Sequence, residues 1–445
     1  MAGNPRDRLA AAMRFAIGAR PGELSACLAA FVYIFCLFTG YSVLRPVRDT
    51  MGIAGGVENL PWMFLATFLA TLVAVPFYGW LCSRYRRGVF LPWVYLFFII
   101  NLALFYAAFS ADPDNPVVAR VFFVWLSVYN LFVVSVFWSF MADIFSGDQA
   151  KRLFGFVTAG ASTGFIVGPA FTVSFAETLG TGNLVLVAAA LLGATLFLIR
   201  YLLHWSHTSA ASSEVKADGT PTRREEAMGG NPFAGFTLLF RSPYLLTLAA
   251  FIFLYTAVGT FIYLQQAELV RDAFASSEER TQVFAFIDLA VNVISLGTQV
   301  FLTGRIVKRV GMVVTLAAMP VFMIGGFVAL AAVPTLTVLV IVQVIRRSGN
   351  YAITRPAREM LYTAVDRESR YKVKNVIDTV VYRGGDAANA GLYKLMQVFG
   401  LGLAGIASVG VLVAAIWAVC AVALGRQYNK VPNKVPDRTI RTSDS

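Results

Sequence analysis

Four ionisable residues, Asp378, Arg383, Asp386 and Lys394, stand inside an apolar run long enough to cross a bilayer, VIDTVVYRGGDAANAGLYKLMQVFG (376–400). Each costs roughly 2.5–3.5 kcal/mol at mid-membrane, so a lipid-facing helix would not carry them. At about 100° per residue, Arg383, Asp386 and Lys394 share an arc of about 80°, with Asp378 about 80° from Asp386 on its far side. One face is therefore charged, and it is expected to meet a water-filled cavity or partners on other helices. The competing reading puts Asp378 and Lys394 at the two interfaces and makes Arg383–Asp386 a structural ion pair. Two kinds of chemistry suit the set. A guanidinium takes an oxyanion in bidentate fashion, and an intramembrane carboxylate can carry a proton.

Other stretches carry similar residues. In YSVLRPVRD (41–49), Tyr41, Arg45, Arg48 and Asp49 cover an arc of about 100° if the helix continues past Pro46. The alternative is an interfacial anchor of two arginines. Asp288, Asn292, Ser295 and Gln299 fall within about 60° of arc on one apolar run and are expected to line the cavity. Gln343, Arg346, Arg347, Asn350 and Tyr351 close another run. Cys27, Cys36, Cys82 and Cys420 lie in or beside apolar runs without a C-x-x-C and read as core residues. His204 and His207 read as interfacial. The sequence contains no phosphate-cradling glycine loop, His-rich metal set or Ser/His/Asp arrangement, so neither enzyme activity nor a cofactor or metal is expected.

Composition says what positions these residues. The chain is 58% hydrophobic and 14% charged with mean hydropathy +0.67, against about 25% charged in soluble domains. An all-α polytopic membrane protein follows. Twelve apolar runs reach crossing length, at about 23–44, 60–82, 90–109, 117–140, 154–176, 182–204, 243–266, 281–303, 311–331, 335–351, 376–399 and 402–425;. Thirty of the 37 Lys and Arg flank one side, which places both termini in the cytoplasm;. The net charge of +12 is thus topogenic, and no nucleic acid polymer is expected as a partner. Residues 5–20 read as a basic amphipathic stretch on the lipid surface;. No cleavable signal peptide is expected, and the first run would be retained as an anchor. Gly160, Gly164 and Gly168 mark a helix-packing face.

The loops GWLCSRYRRG (79–88) and GRIVKRVG (304–311) recur in two halves separated by a polar linker. The first resembles the G-x-L-A-D-R-x-G-R-R signature of the major facilitator superfamily at Gly79, Leu81, Arg84 and Arg87, with Ser83 at the acidic position. That architecture implies two bundles of six helices. The expected division is a basic tail 1–22, a six-helix bundle 23–205, a linker 206–242, a second bundle 243–425 and a tail 426–445.

Three blocks resemble the ATP/ADP carrier family: YSVLRPVRD (41–49), FWSFMADIFSGDQAKRLFGFVTAG (137–160) and PAREMLYTAVDRESRYKVKNVIDTVVYRGGD (356–386). The resemblance implies that Arg48 stands for a phosphate-meeting lysine and Asp143 for a glutamate. Arg358, Glu359, Lys374, Asp378 and Arg383 fall on the third block's charges. Asp386 departs from the pattern, standing where nucleotide exchangers carry a lysine, and Pro46 replaces a polar residue.

The sequence therefore predicts a monomeric inner-membrane secondary transporter for a small anionic, nucleotide-like or phosphorylated solute. Alternating access about a midplane site would move it. Tyr41, Arg45, Arg48, Asn292, Gln299, Arg383 and Lys394 are the expected substrate contacts. Asp49, Asp143, Asp288, Arg358, Glu359, Asp378 and Asp386 are expected in ion pairs or proton coupling. The rival readings are a proton-coupled carrier of a non-phosphorylated solute and a transport-inactive scaffold or sensor.

Overall fold

The computed structural model describes residues 17–20, 22–84, 87–213, 234–299, 304–365, 373–374 and 376–430. The expectations for residues 5–16 and most of the linker and C-terminal tail lie outside them. Among the described residues there are helices and no strands. In chain order they are α1 (Leu24–Ala54), α2 (Leu60–Arg84), α3 (Arg87–Ala111), α4 (Pro116–Ile144), α5 (Gly147–Leu179) and α6 (Thr181–Ser213). A short helix, Ala234–Arg241, then precedes α7 (Pro243–Ala273), α8 (Ser277–Thr298), α9 (Gly304–Ala332), α10 (Leu336–Gly349), α11 (Tyr382–Val398) and α12 (Leu403–Lys430).

Ten of the described helices are long and apolar enough to cross a membrane. The other two, α10 and α11, have 14 and 17 residues as plain α-helix. Both gain length through a π turn. Asn350–Thr354 continues α10 into a further helix, Arg355–Leu361, and Ile377–Val381 precedes α11. Apolar length alone does not reveal these wider turns. The first lies just before Pro356, which has no N–H for the carbonyl four residues back and whose ring crowds it. Turns of this kind concentrate at functional sites. A second irregularity, Gly311 at φ +76°, interrupts α9.

Large apolar side chains, including Trp62, Trp93, Phe197 and Val419, are turned outward. Charged and amide side chains such as Asp288, Gln343 and Arg346 are turned inward. Hydrocarbon explains this arrangement, because lipid tolerates an apolar exterior and charges seek the protein interior.

The chain forms two compact units, Met1–Ala227 with Ala267–Val293, and Met228–Gln266 with Ile294–Ser445. In the first, α1 packs against α4, α5 and α6. Its approach to α5 depends on glycine. A Cβ at Gly160 would lie 2.6 Å from the Phe31 carbonyl oxygen, and one at Gly168 would lie 2.7 Å from that of Thr39. In the second unit α9 packs against α12, where a Cβ at Gly425 would meet the Val313 Cα at 2.7 Å.

Caps fix the helix ends. Asn115 accepts from the amides of Val117 and Val118 to start α4, and Ser146 with Gln149 forms a capping box for α5;. That same turn is tied to the start of α1. The Glu23 carboxylate accepts from both Arg152 terminal nitrogens at 3.0 and 3.1 Å, from Gln149 at 3.0 Å and from the Arg20 amide at 2.8 Å. Burial pushes the Glu23 carboxyl up, but these bonds and the Arg152 charge outweigh it and hold its pKa at about 2 against an ordinary 4.5. A depressed carboxylate pKa stabilises the fold fully above pH 4.5, and that contribution disappears as pH falls through 2;. Glu23→Gln is expected to lower stability at pH 6 by on the order of 2–3 kcal/mol. It should also flatten the acid limb of the melting curve. Equal acid limbs in variant and wild type would remove this role.

Candidate functional site

In the first unit α1 runs through Pro46 without ending, so YSVLRPVRD stays helical and Tyr41, Arg45, Arg48 and Asp49 share one side. Arg45 Nε lies 3.5 Å from Asp288 Oδ2 on α8, with side-chain exposures of 21% and 4%. A tight charge-assisted bond would span about 2.7–2.9 Å, so this pair is loose. Arg48 instead donates to its chain neighbour, with Nε at 3.0 Å and Nη2 at 2.7 Å from Asp49 Oδ1. Its guanidinium stands 5.0 Å over the Phe123 ring. Tyr41 meets Phe165 edge-on, and Thr50 shares a 2.8 Å hydroxyl contact with Thr281.

The polar stripe of α8 has a use that its sequence did not disclose. Asn292 donates at 2.8 Å to the Phe165 carbonyl, which Pro169, four residues on, cannot serve because it has no N–H. Asn292 was expected to touch substrate; its amide here completes a broken α5 hydrogen-bond ladder. In the second unit Gln299, also an expected substrate contact, donates at 3.2 Å to the Tyr351 carbonyl within the π turn after α10.

Asp143 is exposed at the last turn of α4. That helix end adjoins the turn holding Gln149 and Arg152, which grip Glu23. Arg45 lies 22 residues along the same chain segment, or about 33 Å of helix at 1.5 Å per residue. Asp143 is thus not gathered with Arg45 and Asp288.

Among the described residues of the second unit, the sequence-predicted charges gather in two places. Arg358 Nη2 lies 3.9 Å from both Asp378 Oδ1 and Glu359 Oε1, and Lys374 Nζ donates to Glu359 Oε2 at 2.6 Å. Lys374 also stands 5.5 Å over the Tyr362 ring. Four of the five charges assigned on the third sequence block, all but Arg383, therefore meet. Farther along, Arg383 Nη1 and Asp386 Oδ2 are 3.9 Å apart, and Thr260 Oγ1 donates to Asp386 Oδ1 at 3.4 Å. With Arg383 at 36% exposure, solvent screens this pair. Lys394 is half-buried, with no ion-pair partner within 4 Å among the described residues.

Sequence reading assigned no role to a buried amide–guanidinium chain in this unit. Gln343 Nε2 donates to Gln266 Oε1 at 2.7 Å, and Gln343 Oε1 accepts from Arg346 Nε and Nη2 at 3.0 and 2.9 Å. The available signal was the spacing Gln343, Arg346, Arg347, which puts three polar groups on adjacent turns of an apolar helix.

The inward charges and lipid-facing exterior define a multi-pass membrane protein. A family model described as Major Facilitator Superfamily matches residues 26–357, and the chain belongs to that family. It is distantly similar to ADP,ATP carrier protein 1 of Chlamydia muridarum (strain MoPn / Nigg), at 23% identity over 83% of this chain and 81% of the relative. ADP,ATP carrier protein 1 of Chlamydia trachomatis serovar D (strain ATCC VR-885 / DSM 19411 / UW-3/Cx) is 22% identical over 91% of this chain and 89% of its own. Among solved structures, that of the nucleoside transporter NupG superposes with a TM-score of 0.63 at 16% identity, covering 93% of this chain and 100% of the other. That likeness is one of fold. The chain is a secondary transporter of the major facilitator fold, a distant relative of the ADP,ATP carriers, and takes a small solute.

Proposed function

We propose that this transporter moves a small anionic solute, nucleotide-like or phosphorylated, across an inner membrane by alternating access, with both termini cytoplasmic. The observation that carries the reading is the loose Arg45–Asp288 pair inside apolar helices. At 3.5 Å the carboxylate holds Arg45 weakly, so a solute oxyanion could replace it with shorter bidentate bonds. The names of the relatives, carriers of ADP and ATP, support a nucleotide-like cargo, and the NupG fold neighbour, a nucleoside transporter by name, is consistent with it. Asp386 beside Arg383 reduces the positive charge available to a polyphosphate.

A second reading rests on Asp288, which is almost fully buried. A carboxylate so placed suits proton coupling to a non-phosphorylated solute. The test is thermal stabilisation of the purified protein by nucleotides, sugar phosphates and carboxylates, set against uncharged nucleosides and sugars. A ligand at 100 times its Kd adds about 2.7 kcal/mol. Stabilisation by nucleotides or sugar phosphates is expected. A response confined to uncharged solutes would overturn the proposal.

A further inference from the structure

Arg346 has few competing explanations for its position. It is 8% exposed and is the eleventh residue of the continuous helical run 336–361, about 15 Å from its start. That depth is close to the middle of a hydrocarbon core about 30 Å thick. A cation there is expensive unless it has work to do. Among the described residues no carboxylate lies within 4 Å of it; its hydrogen-bond partner is the neutral Gln343 amide. Gln266 in turn fixes Gln343.

The chain of amides uses Nε and Nη2 and leaves Nη1 without a hydrogen-bond partner among the described residues. Gly259 keeps the space beside that atom clear: a Cβ there would stand 3.1 Å from Nη1. Tyr255 and Tyr382 are electrostatic neighbours of the guanidinium, as is Arg347. Tyr382 in turn neighbours Arg383 and Asp386. Two guanidiniums, Arg346 and Arg383, and the Asp386 carboxylate thus neighbour Tyr382, and Arg347 stands beside Arg346.

We propose that Arg346 recognises the oxyanion of the transported solute, presenting Nη1 to a phosphate or carboxylate group while Gln343 and Gln266 hold the guanidinium in place. The inference deepens the reading of the cargo as an anion and rests on it. Gly259 acts as the positioning residue that admits the ligand oxygen.

The experiment is a melting-temperature titration of the purified full-length protein with ADP, inorganic phosphate, citrate and adenosine. Wild type is compared with Arg346→Gln, Arg346→Lys and Gly259→Ala. At least one anion is expected to stabilise wild type, with adenosine inert. Arg346→Gln should abolish the response. Arg346→Lys, which keeps the charge without the fork, and Gly259→Ala, which keeps Arg346 and crowds it, should each weaken the anion by about 10-fold or more. Should Arg346→Gln fail to fold, the other two variants decide. Anion affinities unchanged in those variants would overturn the role of Arg346 and leave the anionic cargo standing. A wild type stabilised by adenosine alone would overturn both.

Discussion

Replacing Asp288 with asparagine is expected to destabilise the transporter by about 3 kcal/mol and to abolish solute uptake. Removing one partner of a buried ion pair typically costs about 3–5 kcal/mol, because the remaining charge keeps its desolvation penalty. The lower end applies here, since Arg45 retains 21% exposure and the pair spans 3.5 Å. The double variant Arg45→Gln with Asp288→Asn should be more stable than Asp288→Asn alone, because no charge is then stranded. It should still not transport. Unfolding measurements on the three variants, with uptake into proteoliposomes, test this. An Asp288→Asn protein as stable and as active as wild type would leave the pair with no role in folding or transport.

A larger structural effect is expected from Gly160→Leu. The first side-chain carbon would lie 2.6 Å from the Phe31 carbonyl oxygen and 2.9 Å from Ile34 Cγ2. The backbone of α1 cannot rotate aside as a side-chain tip can, so the two helices must separate. Overpacking usually costs about 1–3 kcal/mol, and a rigid backbone contact should exceed about 3 kcal/mol. Gly155→Leu on the same helix is the control, because nothing lies within 4 Å of its added carbon. Size-exclusion profiles and melting temperatures should show Gly160→Leu aggregated or strongly destabilised and Gly155→Leu close to wild type. Equal tolerance would mean that α1 and α5 do not approach this closely.

The helices and their charged faces were legible in the sequence because each depends on a local rule. Hydrocarbon thickness sets the length of an apolar run, and the helical period sets which residues share a side. Arg383 and Asp386 could therefore be paired on paper. The resemblance to the ATP/ADP carriers was also legible, since its blocks are contiguous.

Tertiary structure decided which distant groups meet. Arg45 finds Asp288, and Asn292 finds the carbonyl that Pro169 leaves unserved, through the register of helices packed side by side. That register is set by close contacts such as Gly160 on Phe31, and nothing in the local sequence of α8 encodes it. The π turns were equally hidden, because a single added residue in a turn leaves the apolar pattern almost unchanged. Arg346 read as the polar end of a span, and only the packing of Gln343 against Gln266 shows it to be buried. The sequence by itself thus determined which residues would be too costly to face lipid. The fold determined which of them answer one another, because partner choice depends on the positions of helices in space and not on their order in the chain.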